Sequence, residues 1–388
     1  MADILLEKIK TYFQETAKKH NPYGVIWNIN ARNIEKTLAA SHGAMDFLKR
    51  ISSDDYYSVN RDGWQRDYMI SWHRDYLERM GFSLKSAPRE VSDIDLGARS
   101  KEIDGRMITS NTLYKLIMYL RMGKYFDFSG IQRIFELGAG DGQLAKIIHS
   151  FHPHMKYVIT DIPHTLITAF ANLSLSFPEK KILLVSTKED LQGMDAYDFV
   201  LVPTFLAENI LKYDFDLCIN TCSMGEMRND DIRYWMDFIQ NKLNPKYFYG
   251  VNRFLNIIRQ DIWHIIKRNM GNIVRPHPIR LMRNIAHHRN NENEGSVLFD
   301  NKWDMVQWEV EPDFTGCPVG NQIEPRYLEI AAKKRAEPIA QEVAKDIISY
   351  IYIYTIGIKA LSMKQRCSPI HCAMIPPKKE FCLNYGIQ

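Results

Sequence analysis

No run of about 20 apolar residues, the length a helix needs to cross a bilayer, occurs in this sequence of 388 residues. The apolar stretch IISYIYIYTIGI (347–358) is too short and reads as core or as a subunit contact, the second of which would make a homodimer. Cysteine is sparse and scattered, at Cys218, Cys222, Cys317, Cys367, Cys372 and Cys382. Cys367, His371 and Cys372 lie close together, but no second CxxC or His pair accompanies them, so no metal site is expected. The opening MADILLEKIKTYF carries charges through its apolar positions, which suits an amphipathic helix and not a secretory signal; a reducing, cytoplasmic compartment is expected. Charge of one sign is also lacking. Lys and Arg number 50 against 46 Asp and Glu, a net charge of +4, well short of a nucleic-acid protein.

With 45% hydrophobic and 25% charged residues, the chain is an ordinary globular protein with room for two domains or one elaborated domain. No repeat or low-complexity linker marks a boundary, so boundaries follow changes of pattern. Residues 1–130 show helical periodicity and no strand pattern, with helices expected over 61–82 and around Leu113, Leu116, Ile117 and Leu120. Residues 131–255 alternate strands and helices: RIFEL, YVIT, FVLV, DLCI and YFYGV, with helices between most of them. That alternation predicts a parallel sheet covered on both faces. Residues 256–388 are less regular and hold one clear strand, WDMVQWEVE (303–311).

The turn ELGAGDG (136–142) between the first of these strands and its helix is the chemically telling feature. Glycine permits positive φ and lets a ligand approach the backbone closely. A dinucleotide turn would read GxGxxG, but position 143 is Gln; a P-loop would need Lys and Ser or Thr after its last glycine. The turn is acidic, with Glu136 and Asp141, which disfavours a pyrophosphate and suits a cationic ligand. Asp161 follows Gly140 by 21 residues, at the end of the second strand, where a carboxylate can accept from both hydroxyls of a ribose. The combination favours a sulfonium methyl donor.

ELGAGDGQLA, TDIPHTL and NTCSMGEMRNDDIRYWMDFIQ followed by YFYGVNRF resemble the class I S-adenosylmethionine-dependent methyltransferases, and more narrowly a group directed to sugar hydroxyls. The resemblance covers residues 110–255. It implies an α/β, Rossmann-like sheet with helices on both faces, S-adenosyl-L-methionine as cofactor, and a hydroxyl acceptor on a saccharide or sugar-containing metabolite. In that arrangement 1–130 is a helical lid or acceptor-side region, 131–255 the cofactor-binding core, and 256–388 a region completing the sheet and the acceptor site. Carried over, Glu136, Gly138, Ala139 and Gly140 would line the methionine half of the cofactor and Asp161 with Ile162 its ribose and adenine. The family often has a carboxylate after its third strand, whereas FVLV here runs into Pro203, Thr204 and Phe205; Thr204 and Phe205 would then serve the adenine. Taking KILLV (181–185) as the third strand instead leaves that pocket undefined.

Methyl transfer from a sulfonium is a direct displacement, so the protein's tasks are alignment and desolvation. A sugar hydroxyl needs a base within hydrogen-bond reach. Candidates on the carboxyl-end loops are Asn220, Ser223, Met224 and Glu226 after DLCI, and Asn252 and Arg253 after YFYGV, with Glu226 first as base or substrate clamp and Asn220 and Ser223 expected on the cofactor side. His264 is a further candidate base, with a packed helix residue as its plainer reading. Asp230 and Asp231 are explained by helix capping. Segment 262–291 carries Lys267, Arg268, Arg275, Arg280, Arg283 and Arg289 with no Asp or Glu. It is either a solvated face or a patch for a phosphorylated acceptor, a nucleotide-linked sugar or an anionic membrane surface, the last disfavoured by Pro276 and Pro278, which break any long basic helix. A nucleic-acid acceptor would need basic, aromatic-interleaved surface over more of the chain and is not expected. Two other readings stay open: an amine, carboxylate or carbon acceptor, and a non-catalytic donor-binding scaffold.

Overall fold

The computed structural model describes residues 2–19, 25–53, 63–96, 100–224, 227, 229–253, 302–310 and 327–338. Glu226, His264, segment 262–291, the stretch 347–358, and Cys317, Cys367, His371, Cys372 and Cys382 lie outside them.

Four helices come first: α1 (Ala2–Thr16), α2 (Val25–Ala40), α3 (Ala44–Ser53) and α4 (Gly63–Arg79). The expectation of a strand-free first 130 residues fails at one place, a small antiparallel hairpin of β1 (Lys101–Ile103) and β2 (Arg106–Ile108). Asp104 and Gly105 turn it, both at positive φ (51° and 73°), as a two-residue Asp-Gly hairpin turn requires. Helix α5 (Ser110–Tyr125) follows, started by Thr109, whose side chain accepts from the Thr112 N–H (3.1 Å).

The core then runs β3 (Arg133–Leu137), α6 (Gln143–Phe151), β4 (Lys156–Asp161), α7 (Pro163–Ser176), β5 (Ile182–Leu184), β6 (Phe199–Pro203), β7 (Leu217–Thr221), α8 (Asn229–Asp237) and β8 (Tyr247–Arg253). Asp230 and Asp231 therefore lie in the first turn of α8. Two later strands, β9 (Trp303–Val310) and β10 (Tyr327–Lys334), complete a mixed eight-stranded sheet of order β5-β6-β4-β3-β7-β8-β10-β9. Strands β3 to β8 pair in parallel; β10 is antiparallel to both β8 and β9.

Because helices cover both faces, the parallel strands are apolar on both. Ile134, Tyr157, Ile159, Leu217, Ile219 and Tyr249 face a core shared with α1 to α7. Phe135, Leu137, Val158, Val200, Cys218 and Phe248 face the other, shared with α8.

One buried ion pair ties α5 to the antiparallel strand. Arg121 donates through Nε to both oxygens of Glu329 (2.8 and 2.9 Å) and through Nη2 to one of them, and Tyr249 donates to the same carboxylate (2.7 Å). Glu329 is wholly buried and Arg121 nearly so. Removing one member of such a pair strands the other charge in low dielectric, at about 3–5 kcal/mol. Arg121→Ala should lose stability on that scale in urea denaturation, and Arg121→Met combined with Glu329→Leu should recover most of it. A single variant within about 0.5 kcal/mol of the parent would show that the pair anchors nothing.

Candidate active site

The candidate site is the rim at the carboxyl ends of β3, β4, β6, β7 and β8. The three glycines after β3 all sit at positive φ: Gly138 at 72°, Gly140 at 63° and Gly142 at 74°. An L-residue there is strained by about 1–2 kcal/mol. Their surroundings differ. A Cβ on Gly138 would lie 2.2 Å from Ser223 Oγ, and one on Gly142, which precedes α6, would lie 3.2 Å from the Ala169 Cβ. A Cβ on Gly140 would meet nothing within 4 Å. Two glycines are thus demanded by packing, and the middle one opens onto free space.

Asp161 ends β4 beside this opening. Its Oδ2 accepts from the Gly140 N–H (3.0 Å) and its Oδ1 from the Ile162 N–H (2.7 Å). These two bonds orient the carboxylate toward the opening at Gly140. Strand β6 lies directly against β4, with Pro203 opposite Asp161, and β5 is the outer edge strand. FVLV is therefore the third strand of the core order, and half-buried Thr204 and Phe205 follow it next to Asp161 and Ile162.

Glu136 is placed differently from a surface ligand. It is wholly buried beneath the turn, where its Oε2 accepts from the Tyr157 hydroxyl (2.7 Å) and its Oε1 has no partner. Burial raises its pKa to about 7, opposed by the nearby Lys115 charge and the Tyr157 bond. Ala139 is likewise buried. Asp141 is held by Asn111 (3.0 Å) from α5 and by the Gln143 N–H (3.1 Å), and burial raises its pKa too.

At the end of β7 the side chains of Asn220, Ser223 and Asn252 fasten backbone. Asn220 is wholly buried and donates to the Leu137 carbonyl (2.8 Å) and to Ser223 Oγ (2.6 Å). The Asn252 amide donates to the Asn220 carbonyl (3.1 Å) and accepts from the Met224 N–H (3.1 Å). Thr221 and Cys222 complete this rim, and Cys222 is held at φ 63°, uncommon for a residue other than glycine. Facing them from α5 is a pair that sequence reasoning missed: Lys115, which donates to Thr221 Oγ1 (2.8 Å), and Tyr114, whose hydroxyl lies 3.9 Å from Cys222 Sγ. Lys115 is buried. Its spacing within an apolar helix stripe gave no signal, since a long cation at such a position ordinarily snorkels to solvent.

Residues 91–187, which carry the turn, α6, β4, α7 and β5, match the O-methyltransferase domain family. That match covers a quarter of the chain, and the core has a Rossmann-like α/β fold. No curated protein matches the sequence. Among solved structures, the small RNA methyltransferase HEN1 is similar at 12% identity and a TM-score of 0.32, over 62% of this chain and 27% of that one. An O-methyltransferase family protein from Burkholderia thailandensis is similar at 13% identity and a TM-score of 0.30, over 58% of this chain and 59% of that one. The N,N-8-amino-8-demethyl-D-riboflavin dimethyltransferase of Streptomyces davawensis gives 11% identity and 0.32, over 58% and 56%. The chain therefore spans less than two thirds of each of these three proteins.

The cofactor is S-adenosyl-L-methionine, and the rim fits it. The turn opens at Gly140, the oriented Asp161 carboxylate stands beside that opening, and Glu136 and Asp141 are two further acids in and beneath the turn whose ionisation burial opposes. A cation brought to the turn would favour their ionised forms.

The raised pKa of Glu136 makes a prediction about stability. Folding holds its proton more tightly than the unfolded chain does, so its contribution is full below about pH 4.5 and lost as pH rises through about 7. The span corresponds to about 3 kcal/mol. Glu136→Gln keeps an acceptor for Tyr157 and removes the titration. Its urea midpoint should gain on the parent's steadily between pH 5 and pH 8. Profiles that stay parallel would mean that Glu136 is not held neutral.

Proposed function

We propose that this chain is an S-adenosylmethionine-dependent O-methyltransferase whose acceptor is a hydroxyl of a sugar or sugar-containing metabolite. The observation that carries the methyl-donor half is the Gly140–Asp161 bond beside an open glycine face. The sugar half is supported by the DIP and SMGEM segments and their resemblance to enzymes directed to sugar hydroxyls. The acceptor is a small molecule and not a nucleic acid. The basic segment 262–291 favours one carrying a phosphate or a nucleotide.

When bound, the sulfonium supplies an electrophilic methyl group, and the protein's residues provide position and a proton acceptor. Asp161 orients the ribose end by accepting its hydroxyls, with Ile162, Thr204 and Phe205 on the adenine side. The backbone of Gly138 to Gly140 cradles the methionine end, held in place from below by Asn220 and Ser223. A cation at the turn would draw Glu136 and Asp141 toward their ionised forms. Asn252 keeps the β7 loop in register, so that Glu226, two residues beyond Met224, can take the proton of the acceptor hydroxyl; His264 is the alternative base. Lys115 and Thr221 face the same space and suit an acceptor oxygen or the carboxylate of the donor.

The donor assignment is tested by titrating S-adenosylhomocysteine into the parent and into Asp161→Asn. Loss of charge-assisted hydrogen bonds worth about 1.5–3 kcal/mol should weaken binding about 10- to 150-fold. Unchanged affinity would remove Asp161 from the site.

The base is tested separately. Glu226→Gln retains the shape of the side chain and loses its basicity. Single-turnover methyl transfer at saturating donor and acceptor should slow by about 10²–10⁴-fold, with donor affinity hardly moved. A milder loss falling on acceptor affinity would make Glu226 a clamp, and full activity would pass the role to His264.

A further inference from the structure

Among the described residues three lysine and arginine side chains are buried: Arg121, Lys146 and Lys115. Two of them have carboxylate partners, Arg121 in Glu329 and Lys146 in Asp93. Lys115 has none. Its Nζ donates to the neutral Thr221 hydroxyl (2.8 Å) and lies 5.9 Å from the centre of the Tyr114 ring, and among the described residues it makes no ion pair. Glu136 and Asp141 feel its charge through space, but neither bonds to it. An ammonium carries three donors, and a buried charge is ordinarily paired. Lys115 is also not sealed in: it keeps 8% of its surface, whereas Lys146 keeps none. The rim beside it is partly open at Asn111, Tyr114, Gly138, Cys222 and Ser223.

The order of the strands indicates which anion would complete it. Strands β6, β4, β3 and β7 are successive neighbours, about 4.8 Å apart. In the methyl-donor reading, on which this inference rests, the ribose is held at Asp161 on β4 and its 5′ arm crosses the glycine turn that follows β3. The next strand in that direction is β7, and Thr221, its last residue, is the one that Lys115 holds. An arm leaving the ribose along this line ends over β7, two strand spacings or about 10 Å away. We infer that Lys115 binds the α-carboxylate at the end of that arm, the amino-acid end of S-adenosylmethionine. Thr221 takes one of its donors and directs the ammonium before the ligand arrives, and two donors are left for the carboxylate oxygens. A charge-assisted bond of this kind is stronger than a bond between neutral groups. A neutral acceptor hydroxyl at the same place would leave the buried charge uncompensated.

The test is calorimetry with S-adenosylhomocysteine and with its decarboxylated analogue, on the parent and on Lys115→Met. The parent should bind the analogue about 10- to 150-fold more weakly than S-adenosylhomocysteine. Lys115→Met should lose that preference, binding S-adenosylhomocysteine more weakly by a similar factor and the analogue as the parent does, because both changes delete one interaction. Lys115→Gln, which keeps a donor for Thr221, takes its place if the Met variant does not fold. A parent that binds the two ligands alike would overturn the inference without any variant and leave the donor reading intact. So would a variant that keeps the parent's preference, or one that weakens both ligands equally. A parent that binds neither ligand would remove the donor reading and this inference together.

Discussion

The carboxylate of Asp93 is the point on which the geometry of the rim depends. Its Oδ2 accepts from the Thr109 N–H (2.8 Å) and from the Thr112 hydroxyl, and its Oδ1 from Gln143 Nε2 (2.9 Å) and Lys146 Nζ (3.2 Å). These donors belong to the start of α5 and the first turn of α6. One buried group therefore fixes both helices that flank the glycine turn. Lys146 is wholly buried, and its other bond goes to the Ser92 carbonyl (2.7 Å). Without Asp93 its charge would be stranded, which makes this pair intolerant of partial removal. From the same network Asn172 reaches from α7 to the Asp141 carbonyl (2.9 Å). The turn is thus gripped from three helices, which lets it hold three positive φ values while leaving Gly140 open.

Rigidity on that side explains how the rest of the site can be made from short loops. Position in a methyl transfer is worth much because the electrophile is already activated, and the residues need only bring two atoms into line. The structure spends polar side chains on this end: Asn220, Ser223 and Asn252 each bond to backbone of neighbouring rim segments. None of the three has to touch a ligand for the site to need it. A substitution there would act through the loop between β7 and α8, where Glu226 follows.

The local elements were legible where pattern and chemistry coincide. The apolar runs of the parallel strands, the acidic glycine turn and Asp161 all follow from residues adjacent in sequence. The small hairpin at 101–108 was missed despite its Asp-Gly turn, because strands of three residues are too short to show alternation. Strand β10 was missed for the opposite reason: Glu329 to Ala332 are buried in succession, so no period of two appears, and the one charge among them, Glu329, is satisfied from α5. Pairs such as Arg121 with Glu329, or Lys146 with Asp93, join residues far apart in the chain. Nothing local distinguishes them from solvated charges. The same applies to Lys115, whose place is set only by which face of α5 meets Thr221.

The two ends of the parallel sheet use similar residues to different effect. At the amino end, Asp216 accepts from the Gln132 and Arg133 N–H groups (2.8 and 3.1 Å) and from Lys246 (2.7 Å), which holds its carboxyl below the usual range. That carboxylate is ionised, satisfied and partly solvated, and it closes the ends of β3, β7 and β8. At the carboxyl end, Glu136 is deeper, has one oxygen unpartnered and is pushed toward neutrality. A carboxyl in that condition is destabilising when ionised unless a positive charge approaches, whereas Asp216 gains little from any ligand. A positive charge brought close to Glu136 would pull its titration back down. The asymmetry between a satisfied acid at one rim and an unsatisfied one at the other is the physical basis for placing the chemistry at the carboxyl end.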